Sequence, residues 1–168
     1  MKRSHLAAGL TAVVVAATAA VPVSAAPQQP EVRADGLTTK VTLITGDEVT
    51  VVHGRVHTRA AAGREKVGFR SFKDPRGNLH VVPLDAQARL NAGELDERLF
   101  DVTLLAGSGY DDASRATTPL IVQGQGISAA GARSLPSIGA HAVEADKNGG
   151  FWAGARAAGT GRIWLDGN

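Results

Sequence analysis

The sequence predicts an α+β fold that begins with β-hairpins and ends with a smaller module of strands and helices. Two β-branched runs, 41–45 and 49–52, flank a Gly-Asp turn. Two further apolar runs, 67–72 and 79–83, flank a reversal that contains Pro, Gly and Asn. Both arrangements are typical of β-hairpins. After residue 117, short apolar runs alternate with segments of helical pattern, which predicts a mixed module.

Composition divides the chain into five consecutive segments. Two stretches lack apolar periodicity, one containing Pro and Gln and the other containing Gly and Ser. Such composition is typical of exposed linkers. The segments are a signal peptide at 1–25, a linker at 26–37, a β-rich module at 38–106, a second linker at 107–117 and the smaller module at 118–168.

Each element of the two modules has its own local signal. In the β-rich module, Asp85 is expected to cap a short helix that runs to Leu90, and Gly93 to end it in a left-handed conformation. The smaller module is expected to contain strands at 118–124, 138–146 and 162–166 and helices near 128–134 and 149–157.

The N-terminal segment has the pattern of a secretory signal peptide. Lys2 and Arg3 precede an apolar run that ends before small residues, which is the order that signal peptidase recognises. The run is shorter than the roughly 20 residues of a membrane span. We expect cleavage between Ala25 and Ala26, a secreted mature chain and no stable membrane anchor after signal removal.

Charge and cysteine content narrow the classes of partner. Without Lys2 and Arg3, the chain has 16 basic and 16 acidic residues, so it lacks the positive charge that binds phosphate backbones. Nucleic acid is therefore not expected as a partner. The sequence has no cysteine, so an extracellular chain must be stabilised by burial or by a partner instead of disulfides.

Short segments spread along the chain resemble one known family in the same order. The segment 41–52, Val-Thr-Leu-Ile-Thr-Gly-Asp-Glu-Val-Thr-Val-Val, is similar to the opening of the propeptides of secreted actinobacterial subtilisin-like serine peptidases (subtilases). The resemblance covers nearly everything from Lys40 to Gly167, and its co-linearity makes it specific. The other matching segments are 65–69, 79–83, 99–103, 118–123, 135–139 and 162–168.

The resemblance implies both a fold and a function. Subtilase propeptides are small ferredoxin-like modules whose antiparallel sheet packs on the peptidase, with helices on the other side. The implied function is that of a folding template and temporary inhibitor whose partner is the subtilisin-like serine protease domain. The catalytic domain of such precursors begins shortly after the equivalent of 164–167, so we expect a truncated precursor or a separately encoded propeptide. A free-standing secreted protease inhibitor and a β-rich extracellular binding module without a protease partner remain alternatives.

The tail is the predicted protease-binding segment. By resemblance, it lies extended in the non-prime side of the active-site cleft, where backbone pairing gives affinity. Period-two alternation places Trp164 on the opposite face from its two apolar neighbours, which are expected in the core. Trp164 is therefore the expected anchor. The predicted contact residues are Ile163, Trp164, Leu165, Asp166 and Gly167.

No residue set in the sequence predicts catalysis. His80 and His141 lie in predicted strands, and neither has the surroundings of a subtilase general base. Ser108 lies between two glycines but lacks the G-x-S-x-G spacing and the strand-to-helix context of a nucleophile. The chain is therefore not expected to be an enzyme.

The sequence also predicts neither a cofactor nor a metal. His53 and His57 are four residues apart and have only Asp47 or Glu48 nearby, whereas structural zinc needs four ligands and catalytic zinc three. Adjacent carboxylates point apart in regular structure and are interpreted as solvated charge. These pairs are Asp96-Glu97 and Asp111-Asp112.

Overall fold

The computed structural model describes residues 38–124, 131–159 and 161–167, which lie in one compact unit. This part of the chain contains a three-stranded sheet, a two-stranded hairpin, a four-stranded sheet and three short α-helices. All strand pairings within these sheets are antiparallel. The predicted α+β fold is therefore confirmed.

The predicted leader falls outside the part of the chain that the structure describes. The same holds for Ala25 and Ala26, between which signal cleavage is expected. Among the described helices, none is long and apolar enough to cross a membrane.

The first sheet is built from the predicted hairpin and one additional strand. Strands β1 (Thr38–Thr42) and β2 (Glu48–Val52) pair around the Gly-Asp turn, as predicted, but β1 begins before the run 41–45, and residues 43–45 of that run lie in the turn. Strand β3 (Arg55–Arg59) pairs with the other edge of β2. The sequence carries no apolar signal for β3, because its residues are polar and exposed apart from Val56. Its backbone pairing with β2 defines it as a strand.

The second predicted hairpin is also present. It consists of β4 (Phe69–Lys73) and β5 (Leu79–Pro83), with Gly77 at a φ of 88° in the reversal. Helix α1 (Gln87–Asn91) follows. Gly93 has a φ of 70°, so the predicted left-handed conformation after this helix is confirmed.

The predicted N-terminal cap of α1 is wrong. The N-cap residue is Ala86, which makes no capping hydrogen bond from its side chain. Asp85 instead accepts hydrogen bonds from the guanidinium of Arg64, at 2.8 and 3.0 Å. The carboxylate of Asp85, which the local sequence predicts to cap the helix, thus forms an ion pair with Arg64 instead.

Two short helical segments connect the hairpins to the second half of the chain. A 3₁₀ turn spans Glu97–Phe100, and helix α2 spans Val102–Gly107. Each begins at an aspartate whose side chain accepts a backbone N–H, Asp96 for the first and Asp101 for the second. Such caps satisfy amides that have no partner inside the helix.

The second half of the chain forms a four-stranded sheet. Its strands are β6 (Thr117–Gln123), β7 (Arg133–Leu135), β8 (Ala140–Asp146) and β9 (Ile163–Leu165), in the order β7-β8-β6-β9. Helix α3 (Gly150–Ala158) connects β8 to β9. In chain order the strands are second, third, first and fourth, which is the order of a ferredoxin-like sheet.

The helix predicted near 128–134 is wrong over the residues that the structure describes. Residues 133–135 form β7, and the chain continues into a 3₁₀ turn at Pro136–Ile138 that ends at Gly139 with a φ of 61°. The rest of the predicted helix, up to residue 130, lies outside the described residues. Pairing with β8 determines the conformation of β7, which its own three residues do not predict.

The two modules that the sequence separates share one hydrophobic core. Residues from the hairpins, from the segment 95–105, from the four-stranded sheet and from α3 belong to a single buried cluster. Burial of this apolar surface is the main favourable term in folding. Its larger members include Val41, Leu43, Val49, Val81, Phe100, Leu120, Val122, Trp152, Ile163 and Leu165.

A buried ion pair fixes the turn between β1 and β2. The side chain of Asp47 is fully buried and accepts hydrogen bonds from Thr45 Oγ1 at 2.7 Å, Ala61 N at 2.9 Å and Arg64 Nη2 at 2.8 Å. The Asp47 carboxylate, and after it that of Asp85, raises the pKa of the Arg64 guanidinium. The pair therefore ties the first hairpin to the loop that follows β3.

The same turn contacts the start of α3. A Cβ atom on Gly46 would lie 2.8 Å from the Cα atom of Gly149, and both glycines have a φ near 80°, at 82° and 80°. Only glycine fits this approach without strain. At the other end of α3, Arg156 donates to Asp85 at 3.3 Å. Helix α3 is thereby held to the first hairpin at its start and to the segment before α1 near its end.

Replacing Asp47→Asn should lower the free energy of unfolding by about 2 kcal/mol or more, because the buried guanidinium loses a charged acceptor. Urea unfolding followed by circular dichroism measures this. The matched control is Glu48→Gln at the neighbouring residue, the first of β2, whose pair with the exposed Arg59 should contribute less than about 1 kcal/mol. Equal losses in the two variants would contradict a special role for the buried pair.

Candidate functional site

The four-stranded sheet has one face that packs on the core and one that does not. Register places Trp164 opposite Ile121, Ile121 opposite Ala142 and Ala142 opposite Arg133, so these side chains lie on one face, called the outer face here. None of the four belongs to the fully buried core. The inner face carries Leu120 and its neighbours, which join the core cluster together with residues of α3.

A groove of about 430 Å³ runs along the outer face beside β9. Its walls are mainly apolar, and Ile138, which is 52% exposed, stands at one side. The side chain of Gln123 donates to the Ile138 carbonyl at 3.1 Å, which holds the 3₁₀ turn over this part of the sheet. The lining residues are Arg98, Ile121, Gln123, Ile138, Trp164, Leu165, Asp166 and Gly167.

The backbone of β9 is hydrogen-bonded along both edges. On one edge it pairs with β6. On the other, Ile163 N donates to Glu94 O at 2.8 Å, and Asp96 N donates to Ile163 O at 3.0 Å. Leu165 N donates to Asp96 Oδ2 at 3.4 Å. Neither edge of β9 is therefore open to a further strand.

Arg98 fixes the tail beyond β9. Its guanidinium donates to Leu165 O at 3.1 Å and to Gly167 O at 3.3 Å, while Asp96 accepts from Nε at 2.9 Å. At Gly167, an added Cβ would lie 2.7 Å from the Tyr110 hydroxyl oxygen, so the tail passes close to that ring. These contacts set the direction in which the chain leaves the sheet.

The five predicted protease-binding residues separate into two groups. Ile163 and Leu165 are buried, at 0% and 3% exposure, as expected for core residues of the strand. Trp164 is half-buried on the opposite face, and Asp166 and Gly167 line the groove beside it. Leu165 touches the groove but belongs to the core, so Trp164, Asp166 and Gly167 are the residues that a partner could contact most directly.

Three further groove residues, Arg98, Ile121 and Ile138, are not among the contact residues predicted from the sequence. Arg98 reaches the tail across 67 residues of chain, and nothing local marks it as a tail contact. Ile138 falls in a predicted strand but lies in the 3₁₀ turn. Ile121 could have been found, because alternation along 118–124 places it away from Leu120 and Val122.

The other candidate residues lie apart from this groove. His53 is in the β2–β3 turn with a φ of 49°, His57 is exposed on β3, and Ser108 is the C-cap of α2. His141 is exposed on β8. His80 is buried, and its Nε2 lies 3.7 Å from a carboxylate oxygen of Asp101.

The carboxylates considered as metal ligands or acid–base groups are engaged elsewhere. A hydrogen bond from Arg59 lowers the pKa of Glu48, so this carboxylate is paired with a cation. Asp112 is half-buried and not merely solvated, since Thr42 Oγ1 donates to it at 2.7 Å and Lys147 Nζ at 3.0 Å. Asp111 accepts backbone amides in a local turn.

Comparison with protein-family models, with curated proteins and with solved structures finds no match. What the groove can bind is therefore derived from its own residues. Trp164, Ile121 and Ile138 offer apolar contact, and Gln123 and Asp166 offer polar groups at its border. A half-buried Trp among aliphatic residues is a typical anchor in protein–protein interfaces.

The two faces of β9 should respond differently to truncation. Ile163→Ala should lower the free energy of unfolding by about 3 kcal/mol, because it leaves a cavity in the core. Trp164→Ala should lower it by about 1 kcal/mol, since its side chain lies outside the core. Urea unfolding of the two variants measures the difference. A larger loss for Trp164→Ala would contradict the assignment of the faces.

Proposed function

We propose that this chain is the propeptide region of a secreted subtilisin-like serine peptidase and acts as folding template and temporary inhibitor of the peptidase domain. The observation that carries the proposal is the outer face of the four-stranded sheet, with Trp164 at its edge strand. A ferredoxin-like strand order and an apolar groove on the sheet face opposite α3 are what the resemblance between 40 and 167 leads us to expect.

The docking contact in this proposal is made by side chains of the outer face. Trp164 and Ile121 lie on adjacent strands, and Ile138 borders the same groove. Together they provide a rigid apolar surface, because β6 is paired on both sides, with β8 and with β9. A surface that is already ordered loses little conformational entropy on binding, which favours a template function.

Fewer backbone groups of the tail are free to pair with a peptidase strand than the sequence suggests. The N–H and C=O groups of Ile163 and the N–H of Leu165 are hydrogen-bonded to residues 94–96, and Arg98 donates to Leu165 O. They are therefore unavailable for pairing with a peptidase strand. In the proposed complex, extended pairing with the substrate-binding strands begins after the N–H of Asp166, which itself donates to Pro119 O at 2.9 Å, and Arg98 directs the chain toward the cleft.

The hairpins have a supporting role in this proposal. The segment that covers β9 continues from α1, and its residue Leu95 is in the shared core. Phe100 and Val102 extend that core toward β5. The two hairpins and the segment 94–98 therefore support the docking sheet through the shared core and along the edge of β9.

Inhibition of a subtilisin-like peptidase by the mature chain 26–168 tests this proposal. Wild-type protein should inhibit peptide hydrolysis, and Trp164→Ala combined with deletion of 166–168 should weaken inhibition by at least about 2 kcal/mol, roughly a 30-fold rise in the inhibition constant. Ile138→Ser should weaken it in the same direction. Circular dichroism should change little in either variant.

The matched control is Leu84→Ser. Leu84 is 55% exposed, as Ile138 is at 52%, but it follows β5 and does not line the groove. Its replacement should leave inhibition unchanged. The proposal fails if wild-type protein does not inhibit, or if the Leu84 and Ile138 variants lose inhibition equally.

A further inference from the structure

A cluster of three potential metal ligands lies between the second hairpin and helix α2. Asp74 comes from the β4–β5 reversal, His80 from β5, and Asp101 from the N-terminal cap of α2. One ligand atom from each lies within 4.8 Å of the other two. Asp74 and His80 belong to one hairpin and Asp101 to a later segment, and folding of the hairpin onto α2 brings the three together.

His80 is the residue that points to a bound ion. It is 6% exposed, and neither Nδ1 nor Nε2 has a hydrogen-bond partner among the residues that the structure describes. A buried polar group without a partner carries a desolvation cost that native proteins rarely leave uncompensated. The ring stacks on Phe72, with centroids 5.0 Å apart and planes at 8°, so its orientation is fixed.

The distances around His80 fit a shared cation better than direct hydrogen bonds. Nε2 lies 3.7 Å from Asp74 Oδ2 and 3.7 Å from Asp101 Oδ2. A hydrogen bond at 3.7 Å is too long to count as one. Two ligands that each bond one zinc ion at about 2.1 Å with tetrahedral angles are about 3.4 Å apart, close to the separation found here.

Both carboxylates are oriented toward this point by their other oxygen. Asp74 Oδ1 accepts from Arg76 N at 2.9 Å and from Asn78 N at 2.8 Å. Asp101 Oδ1 accepts from Leu104 N at 2.8 Å. Each Oδ2 is thereby turned toward the imidazole. Asn78 Nδ2 also donates to Asp101 Oδ2 at 2.9 Å, an outer contact of the kind that orients metal ligands.

We propose that Asp74, His80 and Asp101 form a binding site for a divalent transition-metal ion of the zinc class. An imidazole nitrogen with two carboxylate oxygens suits zinc or manganese. Calcium prefers six to eight oxygen ligands and would not be matched by this set. The Asp74 side chain is 23% exposed, which gives the ion a path from solvent and leaves room for a water ligand.

The bound ion would join the β4–β5 hairpin to α2. That contact already includes a hydrogen bond from Leu79 N to Thr103 Oγ1 at 2.9 Å. Metal binding would therefore stabilise the part of the fold that leads into the segment covering β9. The inference is independent of the proposed peptidase partner, since it concerns residues outside the groove.

Isothermal titration of untagged, EDTA-dialysed chain 26–168 with zinc chloride tests the site. We expect one ion per chain and a rise in melting temperature with zinc. His80→Gln, Asp74→Asn and Asp101→Asn should each weaken zinc binding at least about tenfold, the lower range seen even for supporting residues of metal sites. The two Asn variants keep an oxygen that can accept the backbone amides.

Two matched controls separate the site from nonspecific binding. Asp111→Asn removes a carboxylate that accepts backbone amides as Asp74 does, and His141→Gln removes an exposed histidine. Both should bind zinc as wild type does. Calcium chloride should give no saturable binding at the same concentrations.

The inference is overturned if wild-type protein shows no saturable zinc binding, or if the controls weaken binding as much as the ligand variants. If His80→Gln does not fold, Asp74→Asn decides the matter, because Asp74 lies in a reversal near the surface.

Discussion

The hydrogen bonds that residues 94–98 make to β9 are the constraint on which the candidate site depends. Without them, β9 would be an edge strand with free N–H and C=O groups, open to pairing with another chain. With them, Ile163 and Leu165 are fixed in the core, and Trp164 is directed to the outer face. Arg98 completes the arrangement by holding the carbonyl groups of the tail.

This constraint links the two halves of the chain. The covering segment is anchored by Leu95 and Phe100, which are buried in the core that the hairpins and the four-stranded sheet share. Arg64, which pairs with the buried Asp47 and also with Asp85, links the first hairpin to the segment that precedes α1. A ferredoxin-like sheet of this size has little core of its own, so the hairpins supply apolar surface that the sheet lacks.

Local features of the fold could be predicted from the sequence, and contacts between distant residues could not. Both hairpins could be predicted from their turn residues. Alternation along β9 also predicts that Trp164 and Ile163 lie on opposite faces of the sheet. Strand β3 and the β7 strand are defined by pairing with a neighbour, and their own residues carry little signal. The contact of Arg98 with the tail likewise has no local signal in the sequence. The cluster around His80 could not be predicted either, because its three potential ligands form no known sequence motif.

Hydroxyl-radical footprinting with mass spectrometry tests the central claim most directly. The chain would be oxidised alone and in complex with a catalytically inactive subtilisin-like peptidase. Oxidation of Trp164 should fall several-fold in the complex, while the exposed Leu84 reacts equally in both states and the buried Trp152 stays protected. Unchanged oxidation of Trp164 in a formed complex would contradict docking through the outer face of the sheet.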